Sequence, residues 1–212
     1  MLKRSFWILT FVAGAALASA QGDFFHRPSP FAGRTMVTLS LFEEVRTELK
    51  TTPEVNSKVD GLLEKIQADI QEAFQSGGGD FNAMRPTIEK INAKYDDQCI
   101  KLLTADQATR LKQLFIQYNG ASSITQPVIS KDLGITDDQK TKIKAAQDDN
   151  FKKMGELMQG GGSPEDNAKP MAKLQDDLKD SLEKILTDEQ RTKFKTMQGA
   201  KFEFKKVAAG GL

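Results

Sequence analysis

One five-residue phrase occurs three times in this chain. The copies are Leu103-Thr104-Ala105-Asp106-Gln107, Ile135-Thr136-Asp137-Asp138-Gln139 and Leu186-Thr187-Asp188-Glu189-Gln190. Each stands just before a stretch of helical periodicity. In each, the Thr hydroxyl can accept from a free backbone N–H in the first turn, and the Gln three residues on can reach back to the N-cap N–H. These are capping boxes, and they predict where helices begin. Their surroundings repeat as well. Leu133 follows Leu49 by 84 residues, Gly160 follows Gly77 by 83, Pro170 follows Pro86 by 84, and Thr187 follows Thr104 by 83. The chain is therefore expected to be an internal duplication, too long in period for a small solenoid repeat.

Apolar spacing fills in each copy. Val37, Leu41, Val45 and Leu49 mark a short helix. Thr52, with Pro53 after it, starts a long one bearing Val55, Val59, Leu62, Ile66, Ile70 and Phe74. Gly77, Gly78 and Gly79 stop it, and a return helix carries Met84, Ile88, Ile91, Tyr95, Cys99 and Leu102, with Pro86 expected in its first turn. Thr104 opens a closing helix with Leu111, Leu114, Phe115 and Tyr118, ended by Asn119-Gly120. The second copy follows the same plan. Its short helix carries Val128, Ile129 and Leu133. Its long helix carries Ile143, Ala146, Asn150, Met154 and Leu157, with Asn150 interrupting the stripe. Gly160, Gly161 and Gly162 turn the chain at Ser163, an N-cap, and Pro170 is expected to delay the regular helix. The return helix bears Met171, Leu174, Leu178, Leu182 and Ile185, and the closing helix bears Phe194 and Met197. No run of alternating β-branched residues offers a sheet. The expected fold is all-α: two helical-hairpin units, residues 37–120 and 121–205, each with long antiparallel helices and shorter crossing helices.

The first twenty residues differ from the rest. Lys3 and Arg4 precede an apolar run from Phe6 to Leu17, and Ala18-Ser19-Ala20 is a small-x-small cleavage signal. This is the pattern of a secretory signal peptide, and the run is short for a membrane span. Residues 21–36 carry two prolines, two glycines and no period, and are expected to be a flexible lead-in containing Phe24, Phe25 and Phe31. Residues 206–212 are expected to be a flexible tail. The signal segment holds two of the 30 basic residues and no acidic one, so the chain from Gln21 carries a net charge of −1. Nucleic-acid binding wants a basic face, and this balance does not supply one.

Chemistry is sparse. His26 is the only His and lies in the lead-in, whereas zinc wants several His or Cys ligands. Cys99, the only Cys, falls in an apolar stripe and is expected to be a buried small hydrophobe. Met154 and Met158, with Met171 and Met197, offer soft sulfur, but Met fills gaps between helices more often than it binds copper(I). Adjacent acids such as Asp96-Asp97, Asp148-Asp149 and Asp176-Asp177 point different ways on a helix and, with Lys interspersed, suggest solvated faces. The triple glycines lack the Lys-Ser/Thr of a phosphate loop. No catalytic residue, cofactor or metal is assigned. What remains is binding through apolar side chains, for which Phe151, Met154, Met158, Phe202 and Phe204 are the candidates if exposed; large apolar side chains are usually buried, and capping the end of the bundle is the favoured alternative. The boxes of Thr104 and Gln107, Thr136 and Gln139, Thr187 and Gln190, with Thr52 as a lone cap, are structural.

The boxes, the export signal and the helical plan together resemble the LTxxQ-motif family, the Spy/CpxP-like periplasmic refolding chaperones. Leu133 to Gln139 looks like that family's first box and Leu186 to Gln190 like its second. Leu103 to Gln107 looks like the second box of an earlier unit, and Leu49 to Val55 stands where its first would be, with Val55 in place of the Gln. The resemblance implies cradle-shaped, often dimeric helical shells that hold unfolded clients without ATP. Here the pair would be covalent. The expected function is an exported, ATP-independent chaperone-like protein binding partly unfolded clients. The alternative is a structural or regulatory envelope protein binding one folded partner. N-terminal sequencing of the exported protein is expected to begin at Gln21; a chain beginning at Met1 would mean the segment is retained.

Overall fold

The computed structural model describes residues 34–76 and 81–205. The signal segment, the lead-in as far as residue 33, the glycine turn at 77–79 and the tail from 206 lie outside the described residues. Among the described residues the secondary structure is all helical, with no strand.

The first element begins earlier than the periodicity suggests. Thr35 and Met36 belong to no lead-in. Thr38 N–H donates to Thr35 Oγ1 and Thr35 N–H to Thr38 Oγ1, both at 3.1 Å, and this box opens α1 (Met36–Leu39), whose four residues are all buried. Nor do Val37, Leu41, Val45 and Leu49 share one helix. The chain breaks after α1 and resumes as α2 (Glu43–Leu49). The Ser40 hydroxyl donates to the Met36 carbonyl at 2.7 Å, and Arg46 Nε donates to the Ser40 carbonyl at 3.0 Å. Side-chain bonds of this kind compete with a continuous helix.

The long helices follow as α3 (Pro53–Ser76) and α4 (Phe81–Lys101), then α5 (Ala105–Asn119). A 3₁₀ segment (Gly120–Thr125) leads into α6 (Pro127–Leu133), α7 (Asp137–Gln159), α8 (Pro164–Ile185) and α9 (Asp188–Met197). Both internal prolines lie deeper than expected: Pro86 is inside α4, not in its first turn, and Pro170 is inside α8 rather than delaying it. Each removes a single i−4 bond. In α8 the start is secured upstream by a further box, in which Ser163 Oγ accepts from Asp166 N–H at 3.2 Å.

The same order recurs. The 3₁₀ segment begins 84 residues after α1, α6 84 after α2, α7 84 after α3, α8 83 after α4 and α9 83 after α5. The packing recurs too. Helix α1 lies on α4 and the 3₁₀ segment on α8, while α2 lies on α5 and α6 on α9. The two long hairpins, α3–α4 and α7–α8, hold the most extensive helix contacts.

The halves are not separate bundles. Leu111, Leu114, Phe115 and Ile116 of α5, Ile124 of the 3₁₀ segment and Ile129 of α6 are completely or almost completely buried, in one core that also takes in Leu63 and Leu182. This is the base of the molecule. The hairpins leave it unequally. In α3, burial runs from Val59 to Ile66, whereas in α7 only Gln139 and Ile143 are buried and, among the described side chains of α8, only Leu182. Beyond them α7 and α8 form a two-helix arm whose apolar seam is half-covered. Asn150, the break in that seam, donates its Nδ2–H to the Leu174 carbonyl at 2.7 Å and so ties the arm together.

The box glutamines do more than cap. Gln139 Oε1 accepts from Thr136 N–H at 3.0 Å and Gln190 Oε1 from Thr187 N–H at 3.0 Å. Each amide also donates to the other: Gln139 Nε2 to Gln190 Oε1 at 2.6 Å and Gln190 Nε2 to Gln139 Oε1 at 3.0 Å. Their remaining protons go to helix ends, Gln139 to the Ile185 carbonyl at 2.9 Å and Gln190 to the Gly134 carbonyl at 3.1 Å. The first copy has Val55 at the matching place. There Gln107 Nε2 donates to the Leu49 carbonyl at 2.9 Å. A double-mutant cycle on Gln139→Ala and Gln190→Ala in urea is expected to return a coupling of about 1 kcal/mol or more. Additive losses would mean that the two boxes act independently.

Candidate functional site

The hairpins stand side by side, and the space between α4 and α7 is a cleft. Near the outer end it forms a groove of about 440 Å³ lined by Arg85, Pro86 and Glu89 from α4 and by Lys144, Asp148, Phe151, Gly155 and Glu156, among others, from α7. Nearer the base a second groove of about 360 Å³ continues past Pro86, Glu89 and Ala93 to Gln126 and Pro127. Pro86 and Glu89 line both, so the two are parts of one channel. Arg85 bridges the walls: its Nη1 lies 2.9 Å from Asp148 Oδ1, its Nε 3.1 Å from Glu89 Oε1, and its guanidinium sits 5.3 Å from the centre of the Phe151 ring. Asp148 also takes Lys144 Nζ at 2.9 Å, and the bond to Lys144 above all holds its carboxyl below the usual range. The outer groove is thus a mixture of apolar surface and already paired charges of both signs, and Lys90 adds a cation to the inner one.

The five side chains expected to bind a client do not form one surface. Phe151 lines the cleft, half-buried. Met154 is half-buried in the arm and Met158, near its tip, is 64% exposed. Phe74, 84 residues before Met158, is 50% exposed near the end of α3, so both hairpins carry a large apolar residue in the open at matched positions. Phe202 and Phe204, by contrast, belong to the base. They lie half-buried against the core, edge to face with each other at 4.9 Å, and Phe204 is edge to face with Tyr118 at 5.0 Å. Gln117 Oε1 accepts from Phe202 N–H at 2.8 Å, and the Arg110 guanidinium lies 6.0 Å from the Phe202 ring. Aromatic stacking on α5 has drawn these residues away from the cleft, and neither lines it.

The capping residues are where helices start. Thr104, Thr136 and Thr187 each accept from the N–H of the Gln three residues on, at 3.2–3.3 Å, and Thr52 accepts from Val55 N–H at 3.3 Å. Other expectations change. Asp97 is on a solvated face, paired with Lys101, but Asp96 is buried. Its Oδ1 accepts from Val37 N–H at 3.1 Å, fastening α1 to α4, and Oδ2 has no hydrogen-bond partner among the described residues. Burial pushes its carboxyl up to about 7, against the lowering effect of the Val37 and Met36 N–H groups. One turn on, Cys99 is fully buried, 3.6 Å from Ser40 Oγ, and burial pushes its thiol up to about 12. A thiol held protonated in this way is a packing group, since the thiolate is the reactive form. Among the described residues no cluster of His, Cys, Asp and Glu is placed to hold a metal ion, and no helix is long and apolar enough to cross a membrane.

Sequence reasoning missed the cleft because its residues come from helices about sixty positions apart. Arg85 and Asp148 look like ordinary surface charges on their own helices. Gly155 near the end of α7 and Pro86 inside α4 were the local irregularities that could have pointed there. No family model, curated protein or solved structure matches the chain.

Asp96 generates a pH prediction. Its carboxyl is neutral in the fold until about pH 7 and ionises near 4 once unfolded, so its stabilising contribution is intact below pH 4 and declines as pH rises to 7. Relative to Asp96→Asn, the wild type is expected to lose up to about 4 kcal/mol across that window. Urea titrations at several pH values measure it, and parallel profiles for the two proteins would show Asp96 to be unperturbed.

Proposed function

We propose that this chain is an exported, ATP-independent holder of partly unfolded polypeptides, composed of two tandem units of the LTxxQ-motif, Spy/CpxP-like kind. The observation that carries the reading is the α7–α8 arm beside the cleft. Met154, Leu157, Met171, Leu174 and Leu178 are only half-covered there and Met158 is open. A two-helix arm with no third layer leaves apolar surface that a client can cover. The neighbouring cleft adds charges of both signs that can meet a peptide backbone. The recurrence of element order and packing supports the tandem units, and the pattern of residues 1–20 supports export. The role is binding rather than catalysis: Asp96 and Cys99, the strongly perturbed groups, lie under α1 and hold the fold.

Light scattering of a chemically denatured client diluted into buffer tests the proposal. Equimolar or substoichiometric protein is expected to suppress aggregation without ATP, and the pair Leu157→Ser, Met158→Ser is expected to weaken suppression several-fold. Exposed and half-exposed sites on the arm should tolerate these changes with little loss of stability. Absence of protection at any ratio would reject the holder role.

A further inference from the structure

Gly155 has no structural reason to be glycine. Gly155 lies in the last turn and a half of α7, and inside a helix glycine costs up to about 1 kcal/mol relative to alanine. At the other described glycines except Gly61 the conformation or the packing explains the choice. Gly134 has φ +74°, Gly199 has φ +64° with Gln113 against it, and a Cβ at Gly162 would strike Asn167 at 2.7 Å. At Gly155 the backbone is ordinary helix and a Cβ would meet nothing within 4 Å. Gly155 lines the 440 Å³ groove one turn beyond Phe151, and its missing side chain leaves that stretch of the α7 wall open. Gly61 also has room for a Cβ but lines neither groove. A glycine that exposes helix backbone in a cleft permits close approach by a ligand.

The walls limit what can approach. Pro86 on the α4 wall and Phe151 on the α7 wall offer apolar surface to the groove. In this outer groove three cations and three anions balance and are engaged with one another, Arg85 and Lys144 with Glu89 and Asp148, and Lys152 with Glu156, while Lys90 adds one cation nearer the base. A phosphate or a run of like charge would have to break the outer pairs with no net charge to gain there. A neutral polypeptide backbone carries donors and acceptors in alternation and can use both signs where they stand. The α7 side of the channel spans residues 144–159. That is about 22 Å of helix, matching about six or seven residues of extended chain. We infer that the channel binds one uncharged, extended polypeptide segment, with an apolar side chain of that segment seated over Gly155 between Phe151 and Pro86. The inference rests on the holder reading and specifies where and how the client is gripped.

The test uses the full chain and a permanently unfolded probe, reduced and carboxymethylated α-lactalbumin carrying a fluorophore, with affinity read by anisotropy. Gly155→Ala is expected to bind the probe and to melt at or above the wild-type temperature. Gly155→Leu and Gly155→Trp are expected to fill the seat and weaken binding about tenfold, the weight of one buried apolar side chain, while circular dichroism stays helical. Two substituents of different size guard against one of them misfolding. Undiminished binding by whichever of these variants is folded would overturn the seat and leave the holder role standing. If the wild type binds no probe, the holder role falls and the seat with it.

Discussion

The structure depends on how the free backbone groups at helix ends are satisfied. Every helix begins with N–H groups and ends with carbonyls that its own turns cannot use. Here one residue type serves both. The carbonyl oxygen of each box glutamine closes the start of its own helix, and its amide protons reach a helix that has just ended. Gln190 joins the start of α9 to the Gly134 carbonyl after α6, and Gln139 joins the start of α7 to the Ile185 carbonyl closing α8. The reciprocal pair between the two amides then fixes four helix ends at one point. In the first copy, where Val55 removes one partner, Gln107 alone links α5 to the end of α2. Individually such bonds contribute about 1 kcal/mol. Together they set the register in which the apolar faces meet.

From that register follows the division between base and arms. The core gathered around α5 holds the completely buried leucines, isoleucines and Phe115. The arms receive what is left, and the second receives least. Asn150 replaces a core residue with a hydrogen bond, since the matching position in the first hairpin is the buried Ile66. An arm held by half-covered methionines and leucines has few buried contacts to lose, and local opening there is correspondingly inexpensive. The base can stay closed while the arm and cleft accommodate a partner. Asp96 works on the opposite side of this balance, tying α1 into the base through a carboxyl that is neutral only because it is buried.

Much of the architecture was legible in the chain because capping and periodicity are local. Thr104, Thr136 and Thr187 marked helix starts, and the 83–84-residue offsets marked the recurrence. The misjudged elements were those where local signals compete or are short. Four buried residues from Met36 to Leu39 are too few to show a period, Ser40 interrupts a stripe that looked continuous, and Pro86 and Pro170 are tolerated inside helices that other residues had already started. The candidate site was much less legible. Phe202 and Phe204 looked available because nothing nearby in the sequence covers them, and Tyr118, which does, lies more than eighty positions away.

The sequence by itself determined that the chain is helical, where most of its helices begin and that their order is repeated. These follow from hydrogen bonds and side-chain spacing within a few residues of each other. Only the tertiary structure decided that the two halves share one core, that Asp96 is buried and neutral beneath α1, and that Arg85 meets Asp148 across a cleft that Gly155 lines. Each of these is a contact between segments far apart along the chain. Its energy depends on burial and on distance in space, which local spacing does not encode.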